Sequence, residues 1–317
     1  MNGRQVEQIA NAVLYEGFLL YPYRASALKN QRRWNFGVVY PPSGEQASVD
    51  SSAMQTECLC QAGHLSSIQI KVRFLRLAEQ TNTETASCFQ DAEDSEIVLP
   101  ESRLAELMAS PLIRSFSFEG GLEQQGQINR RRRPLEGTVT ARAAETEEGP
   151  WKITVRIENR TPAALDHLAS SGPDEILLQS LVSTHTILRL SGGDFISMID
   201  PPEELRQVSG SCSNLGTWPV LAGDEGQRDT IFSSPIILYD YPQIAPESPG
   251  DLFDGTEIDE ILTLRILTMT DAEKEEVRRT DPRARQLLDR TEALPPEDFM
   301  RLHGVLRAAV SSGGGLS

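Results

Sequence analysis

The densest grouping of oxygen ligands is the segment DLFDGTEIDE, which places Asp251, Asp254, Glu257, Asp259 and Glu260 within ten residues. Such a cluster could hold a hard cation, because Ca²⁺ takes about six to eight oxygens in a flexible shell. The spacing departs from a helix-loop-helix calcium loop, since Phe253 stands at the third position, Gly255 comes one residue early and Leu262 is the twelfth. The other reading makes the acids N-terminal charges on a helix starting near Glu257, where they complement the positive end of its dipole, with Asp254-Gly255 as the turn into it. Cys58 and Cys60 would share one face of an extended strand, a geometry that suits a soft metal. With no second matching pair, the plainer reading is two buried thiols acting as small hydrophobes. Cys212, in SCSNLGTWPVLAG, could be a nucleophile only if a base such as His185 or His64 stood beside it. His64, His167, His185 and His303 form no HxH or HExxH grouping, which argues against a compact histidine metal site. His185, in a predicted strand, reads as a hydrogen-bonded core residue. No catalytic residue, metal or cofactor is assigned from these patterns; Asp251, Asp254, Glu257, Cys212 and His185 are the weak metal candidates.

The stretch YEGFLLYPYRASALKNQRRW interleaves aromatic and basic side chains, with Tyr21, Tyr23, Arg24, Arg33 and Trp34 among them. Arg beside aromatic rings suits a protein contact surface, so these five residues, with Asp251, Asp254 and Glu257, are the candidate partner-binding set. The alternative puts the rings in the core and the guanidiniums in water. Arg130, Arg131, Arg132 and Arg133 form a basic run before Pro134, read as a solvated loop or, failing that, a docking patch.

Thirty basic against forty-six acidic side chains leave a net charge of −16, which repels phosphate backbones and argues against nucleic acid as partner. The acid concentrates late, with sixteen carboxylates against seven Lys or Arg between Asp240 and Asp298. Four irregularly spaced cysteines make no disulfide framework. The N-terminus lacks the pattern of a secretory signal, and no stretch approaches the roughly 18–20 apolar residues of a membrane span. A cytoplasmic, reducing location is expected.

Period-2 alternation sets the elements that must carry these residues. Ile68, Ile70, Val72 and Phe74 oppose Gln69, Lys71 and Arg73; Leu135, Val139 and Ala141 oppose Glu136, Thr138 and Arg142; Ile153, Val155 and Ile157 oppose Lys152, Thr154 and Arg156. The last two predict a β-hairpin, with Trp151 capping the core. Residues 33–40, 112–118, 185–190 and 234–241 are further predicted strands, and 191–205, with Gly192-Gly193, reads as a strand-connecting turn. Residues 41–52, 80–87 and 120–133 read as loops. After Asp254 the spacing turns helical, with a capping box at Thr270 and Glu273, a cap-then-proline start at Asp281-Pro282 and a third helix over 294–310. The fold class is α+β, mainly β: an antiparallel, sandwich-like core with a helical C-terminal region. The domains are a β-rich 1–250, with two packed sub-domains meeting at a loop near 120–134 as one option, a helical acidic region over 251–310 packed on it, and a disordered tail, 311–317.

Three blocks carry a resemblance: NAVLYEGFLLYPYRASALKNQRRWNFGVVYP, then SLVSTHTILRLSGGDFISMIDPPEEL with NLGTWPVLAG, then SSPIILYDYPQIAPESPGDLFDGTEIDEILTLRILTMTDAEK. They resemble a family of uncharacterised bacterial proteins encoded among the structural and maturation genes of [NiFe] hydrogenases. The resemblance implies a cytoplasmic accessory or assembly protein whose partner is a hydrogenase subunit or maturation factor, and it supplies no catalytic residues. Two other functions stay open on the residues themselves: a metal-dependent enzyme using the Asp/Glu cluster, and a β-sandwich ligand-binding module of the carbohydrate type.

Overall fold

The computed structural model describes residues 2–15, 36–42, 52–84, 88–147, 149–162 and 173–243, with Lys274, Arg285, Leu288 and Asp289 beyond them. The chain divides into two compact units, one of Met1–Gly17 with Trp34–Gln243 and one of Phe18–Arg33 with Ile244–Ser317. In the second unit the four described residues are helical; Leu288 is buried, and Arg285 and Asp289 pair one turn apart at 3.6 Å. The helix expected from near Glu257, the capping box at Thr270 and Glu273, the start at Asp281-Pro282, the helix over 294–310 and the tail 311–317 lie outside the described residues.

The first unit is organised by one very long strand, β1 (Ala53–Asn82). Thirty residues at about 3.3 Å each would reach about 100 Å if straight, so the strand has to change direction. It does so where residues 61–65 face solvent and its register against a neighbour breaks between Ala62 and Ser67. Ten more strands complete a single antiparallel sheet: β2 (Cys88–Val98), β3 (Ser102–Arg103), β4 (Leu112–Phe118), β5 (Gly121–Gln125), β6 (Ile128–Arg132), β7 (Leu135–Glu145), β8 (Trp151–Asn159), β9 (Val182–Phe195), β10 (Trp218–Leu221) and β11 (Thr230–Ser234). Their main order is β10-β11-β9-β1-β8-β7-β4. One edge of β1 takes β8 along residues 53–60, then β3 and β2 along 67–81; the opposite edge takes β9 along 60–75, then β6 along 79–82.

Because the two halves of β1 have different neighbours, the sheet doubles back and buries one face against itself. Met54, Cys58 and Cys60 from the first half share a core with Ile68, Ile70, Val72 and Phe74 from the second. Phe74 meets Phe118 edge-on at 5.8 Å and Phe116 at 6.2 Å, although β4 is three strands from the first half of β1. Trp151 is buried as expected, and its indole N–H donates to the Ala62 carbonyl at the bend, 3.1 Å away. Gly137 lies opposite Phe116; a Cβ there would collide with the Phe116 ring and the Glu158 carbonyl.

Helices cover the outer faces. In α1 (Asn2–Tyr15), Val6, Ile9, Ala10 and Val13 make one apolar stripe at helical spacing, packed on Ile187, Val220 and Phe232. Glu7 on the same helix binds Lys71 at 2.9 Å and Arg73 at 3.3 Å. On the other side, Leu205 and Val208, the latter in α4 (Arg206–Gly210), pack on Leu59 and Ile196. Two further helices of this unit's described residues are short, α2 (Leu104–Ala109) and α3 (Pro173–Leu177).

The mainly-β α+β class and the β7–β8 hairpin stand as read. Several local readings are corrected, beginning with the loop read over 80–87, whose residues 80–82 are the end of β1. Residues 120–133 are not a loop but the hairpin β5–β6. The Gly192-Gly193 segment is no turn: β9 runs through it, with Gly192 at φ +83° easing a bulge. Residues 36–40 make only an isolated bridge, Val39 to Leu181. The strand predicted over 234–241 stops at Ser234, because Pro235 has no N–H for the ladder, although Ile236 and Leu238 still pack inward. Among the described residues no helix is long and apolar enough to cross a membrane.

Candidate functional site

Cys212 follows α4 and sits in the loop that returns to the first half of β1. Leu215 exchanges backbone hydrogen bonds with Gln55 at 2.9 and 3.1 Å. Asn214 grips Glu57 twice, accepting from its N–H at 2.8 Å and donating to its carbonyl at 3.2 Å. The Glu57 side chain, almost fully buried, accepts from the Ser213 N–H at 2.8 Å and from the Thr154 hydroxyl at 3.0 Å, with Lys152 Nζ at 3.7 Å. Cys212 therefore neighbours a carboxylate and an ammonium that nothing in its own sequence surroundings announced. Glu57 and Lys152 are cross-strand neighbours, offset by two positions on β1 and β8, so only the strand register brings them together.

This arrangement does not activate the thiol. Burial, with the Glu57 charge adding to it and Lys152 opposing, pushes Cys212 up to about 11. Burial likewise pushes Cys60 up to about 12, and Cys58 well above the ordinary thiol value, with Cys60, Cys212 and Glu57 adding to the latter. Cys58 and Cys60 do share a face, as expected of an extended strand, and both are sealed in the main core.

His185 is not the base for Cys212. It points to the α1 side of β9, where its ring meets Phe232 edge-on at 5.3 Å, whereas Cys212 packs with the Leu59 and Val208 cluster on the opposite outer face. Its Nδ1 bonds the Ser183 carbonyl at 2.9 Å, and burial, with Arg73 nearby, holds the imidazole down to about 3. It is the hydrogen-bonded core histidine of the plainer reading. His64 is exposed and pairs with Glu145 at 3.4 Å. Among the described residues no three His, Cys, Asp or Glu side chains gather as metal ligands. Tyr21, Tyr23, Arg24, Arg33, Trp34, Asp251, Asp254 and Glu257 lie outside the described residues.

The arginine run is a structural network. On β6, Arg130 pairs with Asp91 at 2.8 Å and Arg132 with Glu93 at 2.8 Å, both acids on β2, while Arg132 also reaches Glu123 at 2.6 Å. Arg131 joins Glu79 at 2.5 Å to Glu175 of α3 at 2.8 Å, and Arg133 also binds Glu175. A strand of INRRR has no apolar face, so ion pairing takes the place of burial in holding it. Burial alone would raise the Glu93 and Glu175 carboxyls, but the hydrogen bonds and charges of Arg132 and Arg130, and of Arg131 and Arg133, outweigh it and leave both lowered. A lowered folded-state value adds stability above the ordinary carboxylate range, and that stability is lost as pH falls through the folded value. Urea midpoints measured from pH 7 to pH 2.5 should therefore fall below about pH 4.3, and a Glu93→Gln, Glu175→Gln double variant should start lower and fall less. Parallel curves for the two proteins would refute this role.

Compared with models of known families, with curated proteins and with solved structures, the chain matches none.

Proposed function

We propose that the protein acts by binding, as a cytoplasmic, non-enzymatic accessory or assembly factor for a [NiFe] hydrogenase, with a hydrogenase subunit or maturation factor as partner. The three resembling sequence blocks supply the partner. The observation that carries binding over catalysis is the separation of the candidate pair: His185 lies with the α1-side cluster and Cys212 with the Leu59 and Val208 cluster on the opposite face, and burial raises the thiol and lowers the imidazole, away from a nucleophile and its base. Support for a contact surface comes from Ile237 and Tyr239, which are 77% and 86% exposed while Ile236 and Leu238 between and beside them pack inward. Large apolar side chains held in water in this way suit coverage by another protein.

The test is affinity purification of the full chain from a host expressing its own hydrogenase. A hydrogenase subunit or maturation factor should co-elute, and Ile237→Ser with Tyr239→Ser should reduce the yield by at least about tenfold, the loss of about 1.4 kcal/mol. Recovery of no such component, with unchanged hydrogen uptake in a deletion strain, would remove the proposal. Stoichiometric metal dependent on Asp251, Asp254 and Glu257 would favour the metal-dependent enzyme instead.

A further inference from the structure

The core is apolar over most of its extent, yet three hydroxyl side chains meet inside it and two more are buried on the same strand face. Thr56 on β1 and Ser233 on β11 approach across the interior, their oxygens 2.7 Å apart, and Ser233 is 2.8 Å from Thr217 Oγ1. Thr186 pairs with Ser233 in the β9–β11 register and so shares its face, and Thr184 stands two residues along on that face. Each of the five is 1% exposed or less.

Their protons do not balance. A hydroxyl carries one donor and two acceptor sites. Thr56, Ser233 and Thr217 hold three protons between two hydrogen bonds, so one has no acceptor within the trio. Thr184 Oγ1 and Thr186 Oγ1 have no hydrogen-bond partner at all. Buried hydroxyls in folded proteins are almost always paired, and a site with several hydroxyls in reach is what an internal water requires. A cation is disfavoured, because no carboxylate belongs to the group to balance its charge.

We infer that ordered internal water binds here, joining Thr186 Oγ1 to the Thr56–Ser233–Thr217 chain and so linking the two layers of the folded-over sheet. This water site is independent of the binding function proposed above.

The test uses the full-length, isotope-labelled protein. Water-to-protein cross-relaxation should reach the Thr186 γ-methyl with the sign of a long-lived contact. Thr186→Val, nearly isosteric, should abolish that contact and lower the thermal midpoint by about 2–4 °C. Absence of the contact in the unaltered protein overturns the inference, as does a Thr186→Val midpoint equal or higher, the mark of a dry, unpaired hydroxyl. A midpoint raised by K⁺ or Na⁺ beyond an ionic-strength control would also overturn it, by making the occupant a cation. Should the variant not fold, the spectrum of the unaltered protein decides alone.

Discussion

Phe74→Ala should lower unfolding stability by about 3–5 kcal/mol. Its ring is fully buried where the second half of β1 faces β4, and it contacts Phe116 and Phe118 there. Arg76 lies over the Phe118 ring at 5.5 Å and donates to the Arg133 carbonyl at 2.9 Å. Removing the ring therefore leaves a cavity between the layers and loosens the support of a buried guanidinium. At about 2–4 °C per kcal/mol for a unit of this size, the thermal midpoint should drop by about 6–20 °C. Phe74→Leu should lose less, because it refills part of the space. Chemical denaturation followed by tryptophan fluorescence reports this directly, since Trp151 is buried in the same core. A loss below about 1 kcal/mol would mean that the two layers do not press together at this ring.

Glu57→Ala should cost about 2–4 kcal/mol, because it strips acceptors from the Ser213 N–H and the Thr154 hydroxyl and leaves Lys152 without its partner. The effect should be local as well as global. Amide exchange at Ser213 and Leu215 should quicken far more than at Leu188, because Glu57 ties the 211–217 loop to β1. Glu57→Gln keeps one carbonyl oxygen and should fall between the two. Equal quickening everywhere would contradict a role in holding this loop.

The mainly-β class was legible because alternation over 68–74, 135–142 and 153–158 is strict, and those residues do lie on β1, β7 and β8. The stripe Val6, Ile9, Ala10 and Val13 was also present in the sequence as a helical period, although α1 was not read from it. Strand β6 was not legible, since three arginines in five residues look like a solvated loop; their partners on β2 and α3 are more than thirty residues away. Pro235 hid the end of β11 in a run that otherwise alternates. Around Cys212, neither Glu57 nor Lys152 could be found by spacing, because cross-strand register sets their approach. Of the candidate pair, His185 was legible as a core histidine from its place in an apolar strand.

The length of β1 also has a consequence for biosynthesis. Its first half pairs with β8 and its second with β9, so neither can be completed until at least about ninety further residues have followed. At about 5–20 residues per second, the first half waits for β8, and the β9 edge of the second half stays open beside the early β2 pairing, on the order of ten seconds. During that interval its Val, Ile, Leu and Phe side chains are targets for trigger-type chaperones or for strand pairing between neighbouring polysomes, and slowing translation after residue 82 should increase aggregation more than slowing it after residue 195.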